Sequence, residues 1–126
     1  MMVGAGALAP HLIRAHASVR PIKRVSLWNR TRARAISLGF GVAVAGIEVD
    51  IAEDLKQSVR EADIVSCATL AAEPLIKGAW LKKGTHLDLV GGFTPKMREA
   101  DDQAVKRSRI FVDTRAGAAK EAGDGT

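Results

Sequence analysis

The chain has 126 residues, of which 47% are apolar, with one cysteine and a formal charge of +5. That length supports one domain, the composition is globular rather than disordered, and no apolar run approaches the ~20 residues of a membrane span. A lone Cys67 builds no disulfide framework and the amino terminus shows no secretory pattern, so the expected location is the cytoplasm.

Charge placement says more than net charge. No Asp or Glu occurs before Glu48, whereas Arg14, Arg20, Lys23, Arg24, Arg30, Arg32 and Arg34 all do. Such a field attracts phosphate, on a nucleotide or a nucleic acid. Aromatic residues are only 4% with no Tyr, which leaves little to stack on single-stranded bases. No helix-turn-helix, zinc or RNA-binding signature occurs either, so nucleic acid is not the expected partner, and neither is a membrane.

In chain order, short β-branched runs alternate with Ala-rich helical stretches, the rhythm of a parallel sheet. A stub of strand over residues 1–3 runs into the turn Gly4-Ala5-Gly6. A helix follows from Ala7 to about Ala17, with Leu8, Leu12 and Ile13 at helical spacing and Pro10 tolerable in its first turn. Residues 24–28 read as the second strand. Asn29 or Thr31 can cap the next helix, which ends near Gly39 and Gly41.

The segment 42–49 reads as a third strand interrupted by Gly46. A short helix over 55–62 has Glu53 and Asp54 at its positive end. Residues 63–68 suit a buried strand, 73–83 a loop with a turn, and 85–90 and 109–113 the last two strands, with a helix near 100–107 between them. The expected fold is α/β, a Rossmann-like doubly wound, mostly parallel sheet with helices on both faces.

Gly4-Ala5-Gly6-Ala7-Leu8-Ala9 fits G-x-G-x-x-A between a strand and a helix. The first Gly permits the tight turn, the second lets backbone approach a pyrophosphate, and the third small residue lets helix and strand pack closely. The anion would sit on free N–H groups at the helix start. Taken alone, the motif fits a plain strand-to-helix turn equally well. The second strand adds to it, because NAD-binding folds usually place a carboxylate at its end for the ribose 2′-OH. Here that end reads Trp28-Asn29-Arg30-Thr31. An acid would repel a 2′-phosphate, whereas Arg30 can pair with it, Asn29 and Thr31 can donate to it, and Arg32 and Arg34 add charge. An arginine-rich helix start facing water is the competing explanation. NADP is expected over NAD.

These segments resemble the ornithine cyclodeaminase and mu-crystallin family of NAD(P)-dependent enzymes. The likeness continues through Ala62-Asp63-Ile64-Val65, Glu73-Pro74-Leu75-Ile76-Lys77-Gly78, Trp80 to His86, Val90-Gly91-Gly92-Phe93-Thr94-Pro95, Arg98-Glu99 and Val112-Asp113. It implies that Ala68, Thr69, Val90 and Gly91, at carboxyl ends of strands, join Gly4–Ala9, Asn29, Arg30, Thr31 and Arg34 at the nucleotide. Family enzymes are over twice this length and carry an amino-terminal substrate domain, which this resemblance leaves outside the chain. The chain alone is therefore expected to be inactive, with a domain-facing surface prone to self-association. A homodimer stays open for the parent, with its dimerising domain elsewhere.

Two positions depart from the cyclodeaminase pattern. Cyclodeaminases carry an aspartate, implicated in acid/base work, where Phe93 stands, and Phe93 transfers no proton. The pattern Gly-Gly-Phe-Thr-Pro is closer to the branch resembling pyrroline-2-carboxylate and ketimine reductases. Leu8 also replaces a frequent Gln. The resemblance thus implies a parent that reduces a cyclic imino acid, or another imine beside a carboxylate, with NADPH. A non-catalytic ligand binder like mu-crystallin, or a cyclodeaminase proper, is the alternative. No catalytic residue is assignable.

The remaining conspicuous residues read as structural. Cys67 sits in an apolar strand without a basic partner and is expected to be buried and inert. His11 and His16 lack metal-ligand spacing, and no metal site is expected. His86 is expected to be a core histidine, Asp101 and Asp102 a solvated helix start, and Trp28 and Trp80 packing anchors.

Overall fold

The computed structural model describes residues 1–42, 46–91 and 96–116. Five strands, β1 (Met2–Val3), β2 (Arg24–Trp28), β3 (Glu48–Ile51), β4 (Ile64–Cys67) and β5 (His86–Leu89), pair in parallel in the order β3-β2-β1-β4-β5. The order reverses between β1 and β4. Open α/β sheets bind ligands outside the carboxyl ends of strands at such a switch point.

Strand side chains alternate between faces, and the two central residues show it directly. Met2 packs with Ala9 and Ile13 of helix α1 (Ala9–Val19), with Leu27, and with Ala35 of α2 (Arg32–Gly41). Val3 points the other way, into a cluster with Val59 of α3 (Leu55–Glu61), Val65, Cys67, Ile76 and Ala104 of α4 (Asp102–Arg107). Helices therefore cover both faces of the sheet, as expected of a Rossmann-like fold. Trp28 and Trp80 pack against the second cluster as anchors, and Cys67 is buried within it.

Local chemistry sets the helix ends. Pro10 falls in the first turn of α1, where its missing N–H costs nothing. Asp54 caps α3 by accepting from the Gln57 amide at 3.1 Å. Asp101 caps α4 through the Ala104 amide and also accepts from the Gly78 amide at 2.8 Å, so it is a clamp as well as a cap. The single-turn 3-10 helix at Gly78–Trp80 lies so close to α4 that a Cβ at Gly78 would fall 2.4 Å from the Ala104 nitrogen.

Three expectations need correction. The third strand is Glu48–Ile51, not 42–49. Residues 43–45 lie outside the described ones, Gly46 turns at φ +82°, and pairing with β2 starts only at Arg24–Glu48. The strand continues through Asp50 and Ile51, which pair in register with Ser26 and Leu27 of β2, and Arg24 adds an ion pair to Asp50 at 2.7 Å. Residues 109–113 form no strand: the run has strand composition but no ladder partner among the described residues, and Ile110, Phe111 and Val112 are exposed. His86 is not a core histidine; it opens β5 with its side chain 62% exposed.

Candidate functional site

β1 runs into Gly4, where the backbone turns at φ +106° and a Cβ would meet the Ala68 carbonyl oxygen at 2.4 Å. Only glycine fits there. The Gly4 amide donates to the Trp28 carbonyl at 2.7 Å, which holds the turn against the end of β2. Gly6 differs, since a Cβ on it would meet nothing within 4 Å. The space beside it is open, as the close approach of a ligand requires.

Helix α1 begins at Ala9, two residues later than expected, with Leu8 as an N-cap that makes no side-chain hydrogen bond. Ala9 is fully buried and lets α1 sit close to the sheet, while Gly6, Ala7 and Leu8 are exposed. Among the described residues, the amides of Gly6, Ala7 and Leu8 donate to no protein acceptor. Unpaired N–H groups at the positive end of a helix are an anion seat.

The end of β2 is tied to that loop. Asn29 accepts from the Ala5 amide at 3.1 Å through Oδ1, and its Nδ2 donates to the Thr31 carbonyl at 2.9 Å. Asn29 thus spends one hydrogen bond on the glycine loop and one on the turn into α2. Thr31 is the N-cap of α2 by position, although its hydroxyl caps nothing. Trp28, Asn29, Arg30, Arg32, Ala52 and Glu53 line a cleft of about 430 Å³ between β2 and β3. Arg32 pairs there with Glu53 at 3.0 Å; Arg30 and Arg34 are exposed and, among the described residues, pair with no carboxylate.

On the other side of the switch point, β4 runs out through Ala68 and Thr69, and β5 through Val90 and Gly91. Glu99 joins the two ends. One oxygen of this fully buried carboxylate accepts from the Thr69 amide at 2.7 Å and the Thr69 hydroxyl at 2.8 Å. The other accepts from the Gly91 amide at 2.8 Å. Gly91 is pressed so close that a Cβ would come within 2.1 Å of the Thr69 carbonyl oxygen. Sequence reasoning reached Glu99 only through the family likeness; one acid after a loop gives no local sign of burial. Phe93 lies outside the described residues, as do Gly92, Thr94 and Pro95.

Every expected site residue thus stands at one edge of the sheet: Gly4, Ala5, Gly6, Ala7, Leu8 and Ala9 after β1, Asn29, Arg30, Thr31 and Arg34 after β2, Ala68 and Thr69 after β4, and Val90 and Gly91 after β5. Strand order, a glycine turn and an open helix start define a chain with the architecture of a dinucleotide-binding domain.

The chain belongs to the ornithine cyclodeaminase/mu-crystallin family, whose model matches residues 1–126. It is 49% identical over 118 residues to a Delta(1)-pyrroline-2-carboxylate reductase of Paracoccus denitrificans, covering 91% of this chain and 37% of that one. It is 39% identical over 102 residues to the ketimine reductase mu-crystallin of Rattus norvegicus, covering 81% and 32%. Its fold superposes with a TM-score of 0.93 on the Thermococcus litoralis Delta(1)-pyrroline-2-carboxylate reductase solved with NADH and L-proline, at 31% identity over 98% of this chain and 38% of that one. The chain therefore spans less than two-fifths of the length of these relatives. No helix of the described residues is long and apolar enough to cross a membrane.

Proposed function

We propose that this chain is the nicotinamide-dinucleotide platform of an oxidoreductase that reduces a cyclic imino acid of the pyrroline-2-carboxylate or ketimine type. The observation that carries the reading is the row of unpartnered amides at Gly6, Ala7 and Leu8, in front of a glycine turn at the sheet's switch point. The pyrophosphate seats on those amides, where the helix dipole favours negative charge. The nicotinamide carries the hydride; the protein's part is to bind and orient it. Ala68, Thr69, Val90 and Gly91 border the cofactor's path, and Glu99 fixes the two strand ends that carry them.

The cofactor in this reading is NADP(H). The end of β2 offers Arg30 to a 2′-phosphate with no carboxylate beside it, and Arg34 adds charge one turn into α2. Glu53, the acid nearest the cleft, is neutralised by Arg32. The Thermococcus litoralis relative was solved with NADH, so the competing reading is a site indifferent to the phosphate. Calorimetric titration of the chain with NADPH and NADH, repeated for Arg30→Ala, separates the two. Preference for NADPH that disappears in the variant supports the phosphate grip, and equal affinities in the unaltered chain contradict it. The substrate is held by parts of the whole protein beyond this platform. Imine-dependent oxidation of NADPH by the whole protein supports a reductase, and cofactor binding without turnover supports a ligand binder like mu-crystallin.

A further inference from the structure

Spacing along the chain gives no hint of a metal site, but the fold brings three possible ligand residues together on the face opposite the Val3 cluster. His86 and Asp88 are two apart on β5, so their side chains stand on the same face while Leu87 and Leu89 turn to the other. Helix α1 lies across that face and delivers His16. The Nε2 atom of His16 is 2.7 Å from Asp88 Oδ2, and Nε2 of His86 is 3.7 Å from the same oxygen. The two imidazoles stand edge to face with centroids 5.8 Å apart. One ligand atom from each of the three residues falls within 4.8 Å of the others.

We propose that His16, His86 and Asp88 form a binding site for a first-row divalent cation, with zinc(II) the best chemical match. Two imidazole nitrogens and a carboxylate oxygen are a borderline donor set suited to that ion. Tetrahedral zinc with bonds of about 2.0–2.2 Å places its ligand atoms roughly 3.3 Å apart. The two histidine–Asp88 distances of 2.7 and 3.7 Å lie on either side of that value, and with all three atoms within 4.8 Å of one another, side-chain rotation has to draw the imidazoles inward to close the set.

A proton can join Asp88 to one imidazole; a cation satisfies all three groups at once. The carboxylate is oriented from behind, as metal-binding carboxylates are: the hydroxyl of buried Ser66 donates to Asp88 Oδ1 at 2.6 Å. Exposure of His86 leaves the fourth position to water. The site lies apart from the nucleotide edge, because His86 is in register with Ile64 at the start of β4, while the nucleotide residues follow the strands' ends. It is independent of the functional reading above.

The test is calorimetric titration of the untagged chain with zinc chloride, paired with imidazole NMR. The expected result is saturable one-to-one binding that shifts the ring signals of His16 and His86 and leaves those of His11 in place. Exposed His86→Ala is expected to weaken binding at least about tenfold, and Ser66→Ala about tenfold through loss of carboxylate orientation. His11→Ala is expected to bind as before. Absence of saturable binding, affinity undiminished in His86→Ala, or affinity lost in His11→Ala would overturn the assignment.

Discussion

Glu99 and Thr69 lie thirty residues apart and meet through two hydrogen bonds, from the Thr69 amide at 2.7 Å and hydroxyl at 2.8 Å to one carboxylate oxygen. The second oxygen takes the Gly91 amide, so one buried side chain fixes the ends of β4 and β5 at the sheet's carboxyl edge. Replacing it leaves buried donors unpaired, at a cost of about 1–3 kcal/mol for each such group. Glu99→Gln is expected to lower unfolding free energy by roughly that amount in urea denaturation, and Glu99→Ala by more. Stability equal to the unaltered chain would contradict the clamp.

The turn at Gly4 makes a sharper demand. Ala at this position would meet both a positive φ and the Ala68 carbonyl. Gly4→Ala is expected to cost about 1–3 kcal/mol from backbone strain alone, with the collision added to it. At Gly6 the φ is ordinary and the space open, so Gly6→Ala is expected to keep the fold while weakening dinucleotide binding. Thermal melts and calorimetry on the pair check that contrast.

Asn29 offers a way to separate loop support from cofactor choice. Asn29→Asp keeps an oxygen for the Ala5 amide, loses the hydrogen bond to the Thr31 carbonyl, and places a negative charge where a 2′-phosphate would lie, so a melt of the variant accompanies the titration. The NADPH-to-NADH affinity ratio is expected to fall about tenfold, which is roughly 1.4 kcal/mol. A ratio unchanged in a folded variant would mean that the phosphate does not approach this corner.

Acid is expected to weaken the fold through its paired carboxylates. Partial burial raises the Asp50 carboxyl, but hydrogen bonds from Ser26 and Arg24 outweigh it and hold the group below its usual range. Lys82 does the same for Asp63, and Arg98 for Asp102. A carboxyl depressed in the folded state stabilises above its unfolded value near 3.9, and that contribution is lost as pH falls through the folded value. Melting temperature is therefore expected to fall between about pH 5 and pH 3, less steeply in Asp50→Asn. A variant with the same pH slope would contradict the assignment to Asp50.

Much of the sheet's carboxyl edge was readable because its determinants are local. The glycine turn, the following helix and the absence of an acid after Trp28 all sit within short stretches, and β2 falls at its expected bounds. What escaped depends on pairing across the chain. Residues 109–113 have strand composition but, among the described residues, no partner strand, and β3 extends through Ile51 because Ser26 and Leu27 of β2 pair with Asp50 and Ile51. Glu99 and the meeting of His16 with Asp88 join positions 30 and 72 residues apart, beyond the reach of any periodic pattern.

Whether a dinucleotide seats on the carboxyl edge is decided by titrating the nitrogen-15-labelled chain with NADPH and following backbone amide shifts. Large, saturable shifts are expected at Gly6, Ala7 and Leu8, with smaller ones around Arg30, Thr69 and Gly91. Shifts confined to the opposite edge of the sheet, or none in a folded chain at millimolar cofactor, would contradict it.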